Sequence, residues 1–108
     1  PAGTLEEGES PLNSIKREIQ EESGYKARIW DSLGILVPAP GYADEEIHLF
    51  LARDLTKLIK APSGDLDEDI EVLFFQPDEL DKVISSGEEI LDAKTITAWF
   101  RAKQFLQI

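Results

Sequence analysis

Three glutamates at helical spacing, Glu18, Glu21 and Glu22, are the residues of this chain best suited to carry chemistry. Residues three or four positions apart lie on one face of an α-helix, so the carboxylates would form one stripe. Like charges at this spacing destabilise an isolated helix by about 0.2–0.5 kcal/mol per pair. A hard divalent cation such as Mg²⁺ binds carboxylate oxygens and would offset the repulsion. The stripe therefore predicts either a metal site or a solvated acidic helix face.

The helix that would position these glutamates has clear end signals. Ser10 can cap the first backbone N–H groups, and Pro11 suits the first helical position. Gly24 suits the left-handed position that follows the last helical turn. A helix is therefore predicted over residues Pro11–Ser23, and its apolar residues share a face that should meet a core: Leu12, Ile15 and Ile19.

The rest of the chain alternates between apolar runs and turns. Strands are predicted at Lys26–Leu36, Glu46–Ala52 and Glu71–Gln76, and helices at Pro77–Ser85 and Asp92–Leu106. We expect the last helix to pack through the following side chains: Ile96, Trp99, Phe100 and Phe105. This order of elements indicates a mixed α/β sandwich in a single domain that spans residues 1–108.

Composition narrows the class of partner. The 108 residues are 42% hydrophobic, typical of a globular core, and carry a formal net charge of −11. Such a surface repels nucleic-acid backbones and anionic membranes, so a small-molecule substrate is favoured, with cations to bridge it if it is an anion. The chain has no cysteine, which fits a reducing cytoplasm.

A motif at fixed spacing surrounds the three glutamates. The chain resembles the Nudix family, whose box reads G-x5-E-x7-R-E-U-x-E-E-x-G-U with U apolar or aromatic. Residues 3–25 match it at every specified position: Gly3, Glu9, Arg17, Glu18, Ile19, Glu21, Glu22, Gly24 and Tyr25. The resemblance implies a Nudix-type α/β/α sandwich with a mixed sheet, in which a loop–helix–loop holds divalent cations against a diphosphate.

The resemblance also implies roles for individual residues. Glu18 and Glu22 would be direct metal ligands, and Glu21 would be a further ligand or act through water. The backbone carbonyl of Ala2, which precedes the box glycine, would be another ligand. The metal would be Mg²⁺, with Mn²⁺ as a possible substitute, and it would activate a water for attack on phosphorus.

Other box residues would support the metal ligands. Arg17 and Glu9 would orient the carboxylates, a role that commonly affects metal affinity and activity. Gly3 and Gly24 would serve backbone geometry.

The loop after the first strand bears on the substrate. Pro40 lies 15 residues after Tyr25 and is followed by Gly41 and acidic residues. This loop is similar to that of the ADP-ribose pyrophosphatase branch, as is the opening Pro-Ala-Gly. The resemblance implies hydrolysis of ADP-ribose to AMP and ribose 5-phosphate. GDP-mannose pyrophosphatases share much of the loop, and a plain turn between strands is the simplest alternative.

A second acidic cluster precedes the predicted strand at Glu71–Gln76. In the ADP-ribose branch a glutamate of a loop at this place acts as the catalytic base or positions the attacking water. Glu68 aligns best with that glutamate, and Asp67 is the second choice. A carboxylate suits this task because it can accept a proton from an activated water at neutral pH. A solvated connection without a catalytic role is the alternative.

The chain departs from the family pattern at its start. Family members have strands upstream of the box, so we expect residues before Pro1 that complete the sheet and contact adenine and ribose. We also expect a homodimer, because the N-terminal region of this branch often exchanges with a partner subunit. A non-catalytic Nudix-fold nucleotide-binding module is the alternative to the enzyme, although it would have no need of an intact box.

Overall fold

The computed structural model describes residues 1–59, 70–89 and 91–108, in which one helix is followed by two paired strands and then by two helices. The elements are α1 (Pro11–Ser23), β1 (Tyr25–Leu36), β2 (Ile47–Lys57), α2 (Pro77–Ser86) and α3 (Ala93–Leu106). They fall into two compact units. The first consists of Pro1–Asp31 and Phe50–Val72, and the second of Ser32–Leu49 and Leu73–Ile108.

Helix α1 begins and ends where its sequence signals predict. The Ser10 side chain accepts a hydrogen bond from the Asn13 N–H at 3.2 Å, and Pro11 occupies the first helical position. Gly24 ends the helix with φ +75° and donates its N–H to the Gln20 carbonyl. Ile19 is buried, and Leu12 and Ile15 are half-buried, so the predicted apolar face is confirmed.

Strands β1 and β2 pair as an antiparallel ribbon. Trp30 and Phe50 meet edge to face with ring centroids 6.5 Å apart, and Arg53 pairs with Asp31 at 2.8 Å. Strand β2 continues to Lys57, five residues beyond the predicted end at Ala52. The charged residues of this extension resemble a surface connection in the sequence, but cross-strand pairs such as Arg53–Asp31 accommodate them in the ribbon.

The third predicted strand, Glu71–Gln76, is wrong: these residues have no regular secondary structure. A strand needs a neighbour that accepts its backbone hydrogen bonds, and the sheet of the described residues consists of β1 and β2 alone. Side chains of this segment are exposed to solvent, among them Leu73 and Phe74 at 63% and 73%.

Helices α2 and α3 lie close to their predicted positions. Asp92 caps α3 by accepting from the Thr95 N–H at 3.1 Å, and Gly87 follows α2 in the left-handed conformation. The predicted packing face of α3 is largely wrong, since Ala102 is its buried residue and three of the four predicted side chains are exposed: Ile96, Phe100 and Phe105.

Helices with a two-stranded antiparallel sheet agree with the predicted α/β class, while the mixed sheet stays a prediction. None of the helices in the described residues has the length and apolar character needed to cross a membrane.

Candidate metal centre

The loop before α1 folds back on itself and presents Glu9. Gly8 takes a left-handed φ of +77°, which glycine adopts without steric cost. The Glu9 N–H donates to the Glu6 carbonyl at 3.0 Å, and the Glu6 N–H donates to Glu9 Oε1 at 3.1 Å. These two hydrogen bonds fix both the backbone and the carboxylate of Glu9 beside the helix.

Arg17 is the central residue of the candidate metal centre. Its Nε and Nη2 donate to the two carboxylate oxygens of Glu9 at 3.1 and 3.2 Å, a bidentate pair. Its Nη1 donates to Glu18 Oε1 at 2.9 Å and to Glu21 Oε2 at 3.2 Å. The planar guanidinium therefore holds three carboxylates at once, which the single ammonium of a lysine would not do with the same geometry.

The charges within this network stabilise one another. The hydrogen bond from Arg17 lowers the pKa of Glu9 below its ordinary value of 4.5, and the backbone hydrogen bond to Glu6 lowers it further. The same contact with Glu9 raises the pKa of Arg17. Both groups are charged at neutral pH, so Arg17 offsets the repulsion among the carboxylates around it.

Glu22 lies apart from the network of Arg17 and its three carboxylate partners. Its Oε2 accepts a hydrogen bond from the Ala2 N–H at 3.1 Å, which ties the start of the chain to the last turn of α1. Burial raises the pKa of Glu22 above its ordinary value of 4.5, the Ala2 N–H opposes the rise, and the charge of nearby Glu18 adds to it. A cation beside Glu22 would favour its charged form.

Gly3 allows the loop to approach Glu18 closely. A Cβ atom built on Gly3 would lie 2.3 Å from Glu18 Cδ and 2.4 Å from Oε1, inside van der Waals contact. The φ of Gly3 lies outside the left-handed region, so the close approach of the Glu18 carboxyl group, and not backbone conformation, favours glycine here. Gly24, by contrast, is required for its positive φ at the end of α1.

The first compact unit thus brings together most of the predicted site. Glu9, Arg17, Glu18 and Glu21 form one network, and Ala2 meets Glu22. Within the described ranges, no three His, Asp or Glu side chains have an arrangement that would hold a metal ion. Glu18 and Glu21 are turned towards the Arg17 guanidinium, which supplies their countercharge in this structure.

The predicted substrate residues lie in the second unit, in a tight turn. The Tyr42 N–H donates to the Ala39 carbonyl at 3.0 Å, and Gly41 has φ +91°. Pro40 and Gly41 are therefore the central residues of a turn with type II character, for which proline and then glycine are favoured. The predicted base Glu68 and its alternative Asp67 lie outside the described residues.

Sequence reasoning missed Ser14. This residue is only 4% exposed and lies one turn before Glu18 on α1. Its side chain contributes to the lowered pKa of Glu9 as a hydrogen-bond partner. The available signal was a small polar residue one turn before Glu18 on the carboxylate face of the helix, which is a weak indication because serine is tolerated in many helix positions.

Comparison with known proteins adds relatives. An ADP-ribose pyrophosphatase of Bacillus subtilis (strain 168) is 38% identical over 109 residues, which cover 99% of this chain and 58% of that protein. The methanol dehydrogenase activator of Bacillus methanolicus is 38% identical over 108 residues, 100% of this chain and 56% of that protein. A GDP-mannose pyrophosphatase of Cronobacter sakazakii is 36% identical over 96 residues, 88% of this chain and 49% of that protein. The chain therefore spans about half the length of these relatives.

A solved structure shares the fold of the chain, and a domain profile shows its family. The crystal structure of an ADP compounds hydrolase superposes with a TM-score of 0.75 over 95% of this chain and 54% of that chain. The sequence identity of 21% makes this a likeness of fold alone. The profile of the NUDIX domain matches residues 1–105, and these residues include the whole network around Arg17. The chain belongs to the Nudix family.

Proposed function

We propose that the protein is a Mg²⁺-dependent pyrophosphatase that cleaves a nucleoside diphosphate sugar, with ADP-ribose as substrate and AMP and ribose 5-phosphate as products. The observation that carries the proposal is the network in which Arg17 holds Glu9, Glu18 and Glu21 on a capped helix. This network supports the proposal because groups that orient carboxylate ligands commonly affect metal affinity and activity. The likeness to ADP-ribose pyrophosphatase supports the choice of substrate.

The chemistry of the donor atoms, and not their spacing in this structure, fits a hard divalent cation. They are carboxylate and carbonyl oxygens, the ligands that Mg²⁺ prefers, and Glu22 is partly buried close to the charge of Glu18. Glu18, Glu22, Glu21 and the Ala2 carbonyl would hold the ion, and Mn²⁺ would serve in its place. When bound, the ion would neutralise pyrophosphate charge and lower the pKa of a coordinated water.

The protein's own groups would orient the reactants and move one proton. Arg17 keeps the carboxylates of Glu18 and Glu21 in place, and Glu9 holds Arg17. A water oxygen forms the new bond to phosphorus while the bond to the bridging oxygen breaks. Glu68, or Asp67 as the alternative, would accept the proton of that water. The leaving phosphate group would carry away the bridging oxygen.

The turn at Pro40 and Gly41 is the proposed contact with the sugar nucleotide. Its defined backbone gives an ordered surface, and Tyr42 at its end is 94% exposed. GDP-mannose is the alternative substrate, supported by the GDP-mannose pyrophosphatase relatives. A non-catalytic nucleotide-binding module is the alternative from another class.

Product analysis tests the proposal. Full-length protein with Mg²⁺ is incubated with ADP-ribose, GDP-mannose or a dinucleoside polyphosphate, and the products are separated by chromatography. AMP with ribose 5-phosphate from ADP-ribose supports the proposal, and mannose 1-phosphate with GMP from GDP-mannose alone supports the alternative. If none of the three compounds is hydrolysed, the result supports the non-catalytic nucleotide-binding module instead.

Variants test the residue roles in the same assay. Glu22→Gln and Glu68→Gln should each lower kcat, whereas Glu7→Gln removes the same charge from an exposed position of the preceding loop and should leave kcat unchanged. Turnover that persists in EDTA, or a Glu22→Gln enzyme at full rate, contradicts the metal site. Full rate in Glu68→Gln removes that residue from its role.

The predicted homodimer and cytoplasmic location belong to the same proposal. Large apolar side chains of the second unit are exposed, including Phe100 at 60%, and a partner surface would cover them. Light scattering on the purified protein tests the dimer, and a monomer at micromolar concentration would exclude it.

A further inference from the structure

The side chain of Arg101 on α3 forms hydrogen bonds with the backbone at the end of strand β1. Its Nη1 donates to the Leu33 carbonyl at 3.0 Å and to the Ile35 carbonyl at 3.1 Å, residues 68 and 66 positions away in the sequence. One guanidinium nitrogen carries two hydrogens and so can serve both carbonyls. The contact is part-buried on the Leu33 side and lies wholly within the second compact unit.

Gly34, between these two carbonyls, leaves room for the Arg101 guanidinium. Its φ is +91°, and a Cβ atom at this position would lie 3.1 Å from Arg101 Nη1. Any other residue would therefore meet both a strained backbone and a crowded guanidinium. The Gly34 N–H also donates to the Ser32 side chain at 3.2 Å, which adds a local constraint to the bend.

Helix α3 is itself held on another side. Trp99 Nε1 and Lys103 Nζ donate to the same carboxylate oxygen of Asp81 on α2, at 2.7 and 2.8 Å. At about 100° per residue, Arg101 points about 200° away from each of these two side chains. Helix α3 therefore connects α2 on one side with the β1 backbone on the other.

The end of β1 that Arg101 contacts leads into the turn that contains Pro40 and Gly41. Strand β1 ends at Leu36, one residue after Ile35, and the turn begins at Ala39. We propose that Arg101 is a positioning residue for nucleotide-sugar binding: it fixes the path along which the chain enters this turn. The inference rests on the proposed function, in which the turn contacts the substrate.

The test compares substitutions on α3 in the full-length protein with ADP-ribose and Mg²⁺. Arg101→Met should raise KM about 10-fold and change kcat less than about twofold, because the turn loses its fixed path while the chemistry does not change. Lys94→Met removes a positive charge from the same helix, where Lys94 faces Asp92 at 3.6 Å, and should leave both constants unchanged. Arg101→Lys keeps the charge and a donor and should recover part of the affinity.

A second variant tests the same contact with Arg101 by a change in strand β1. Gly34→Ala should raise KM in the same direction, since its Cβ displaces the guanidinium, and it keeps the inference testable should Arg101→Met fail to fold. A purely structural role would instead lower kcat through loss of active protein and leave KM unchanged. That result, or unchanged KM in both variants, overturns the inference alone. Absence of turnover by the unaltered protein would overturn the proposed function, and the inference with it.

Discussion

Replacement of Gly3 by alanine should disable the metal centre without unfolding the protein. The new Cβ would lie 2.3 Å from Glu18 Cδ. Carbon atoms in contact lie about 3.5–4.0 Å apart, so the carboxyl group must retreat by about 1.2 Å or more. Gly3 is exposed and its φ suits alanine, so the backbone itself has no reason to change. The displacement therefore falls on Glu18, a predicted metal ligand.

A shift of this size has a large catalytic effect. Misplacement of a reacting group by about 1 Å can lower the rate about 100-fold, or about 2.7 kcal/mol in activation free energy. We expect Gly3→Ala to lower kcat by about that factor and to raise the Mg²⁺ concentration needed for half-maximal activity. The assay is steady-state release of AMP from ADP-ribose across a Mg²⁺ titration, with thermal unfolding measured in parallel.

Gly8→Ala is the matched control in the same loop. A Cβ on Gly8 meets no atom within 4 Å, but φ +77° makes alanine strained there. This variant should lower stability by about 1 kcal/mol and keep most of kcat, the opposite of the pattern expected for Gly3. A Gly3→Ala enzyme with kcat within about threefold of the unaltered protein would refute the steric reasoning.

Substitutions at three further residues test single contacts. Arg17→Lys keeps the charge but not the bidentate contact with Glu9, so kcat should fall at least about 10-fold in steady-state assays. A loss of kcat below about threefold would contradict the central role of Arg17. Ser10→Ala should lower the free energy of unfolding in urea by about 1 kcal/mol while Ser10→Asp retains it, because only the former loses the cap of α1. Hydrogen bonds from Lys103 and Trp99 lower the pKa of Asp81 below its ordinary value of 3.8, so its stabilisation is present above that pH and is lost as the pH falls through the lowered value. Asp81→Asn should therefore unfold at lower temperature than the unaltered protein at pH 7, with a smaller difference at pH 3, and an equal difference at both would exclude the ionised form as the cause.

Local signals account for what could be predicted from the sequence. Helix α1 is determined by its own residues, from the Ser10 cap to the left-handed Gly24, and both were identified. Supporting roles for Arg17 and Glu9 were expected through the resemblance to the family, but their contact with each other was not predicted. The remaining errors concern packing. The Glu71–Gln76 segment has the composition of a strand, but strand formation depends on a neighbour that no local pattern specifies.

Long-range side-chain contacts were outside the reach of sequence reasoning. Arg101 bonds to backbone carbonyls, which every residue possesses, so no residue type at Leu33 or Ile35 marks them as its partners. The left-handed Gly34 was the only local trace of this contact. Similarly, the exposed faces of Ile96 and Phe100 have helical spacing, and spacing alone does not show whether a second surface covers them.

Charge balance at the candidate metal centre predicts that binding, and not only the proposed turnover, requires a divalent cation. Glu9, Glu18 and Glu21 contact the Arg17 guanidinium and Glu22 lies apart from it, so these five side chains carry a formal charge of −3 within a chain of net charge −11. A pyrophosphate is itself anionic, and Arg17 is already committed to three of these carboxylates. Coulomb repulsion would therefore keep the diphosphate away from Glu18 and Glu22 unless cations bridge the two. Measurable affinity of the full-length protein for ADP-ribose in EDTA, by isothermal titration calorimetry, would contradict this argument even if turnover still required Mg²⁺.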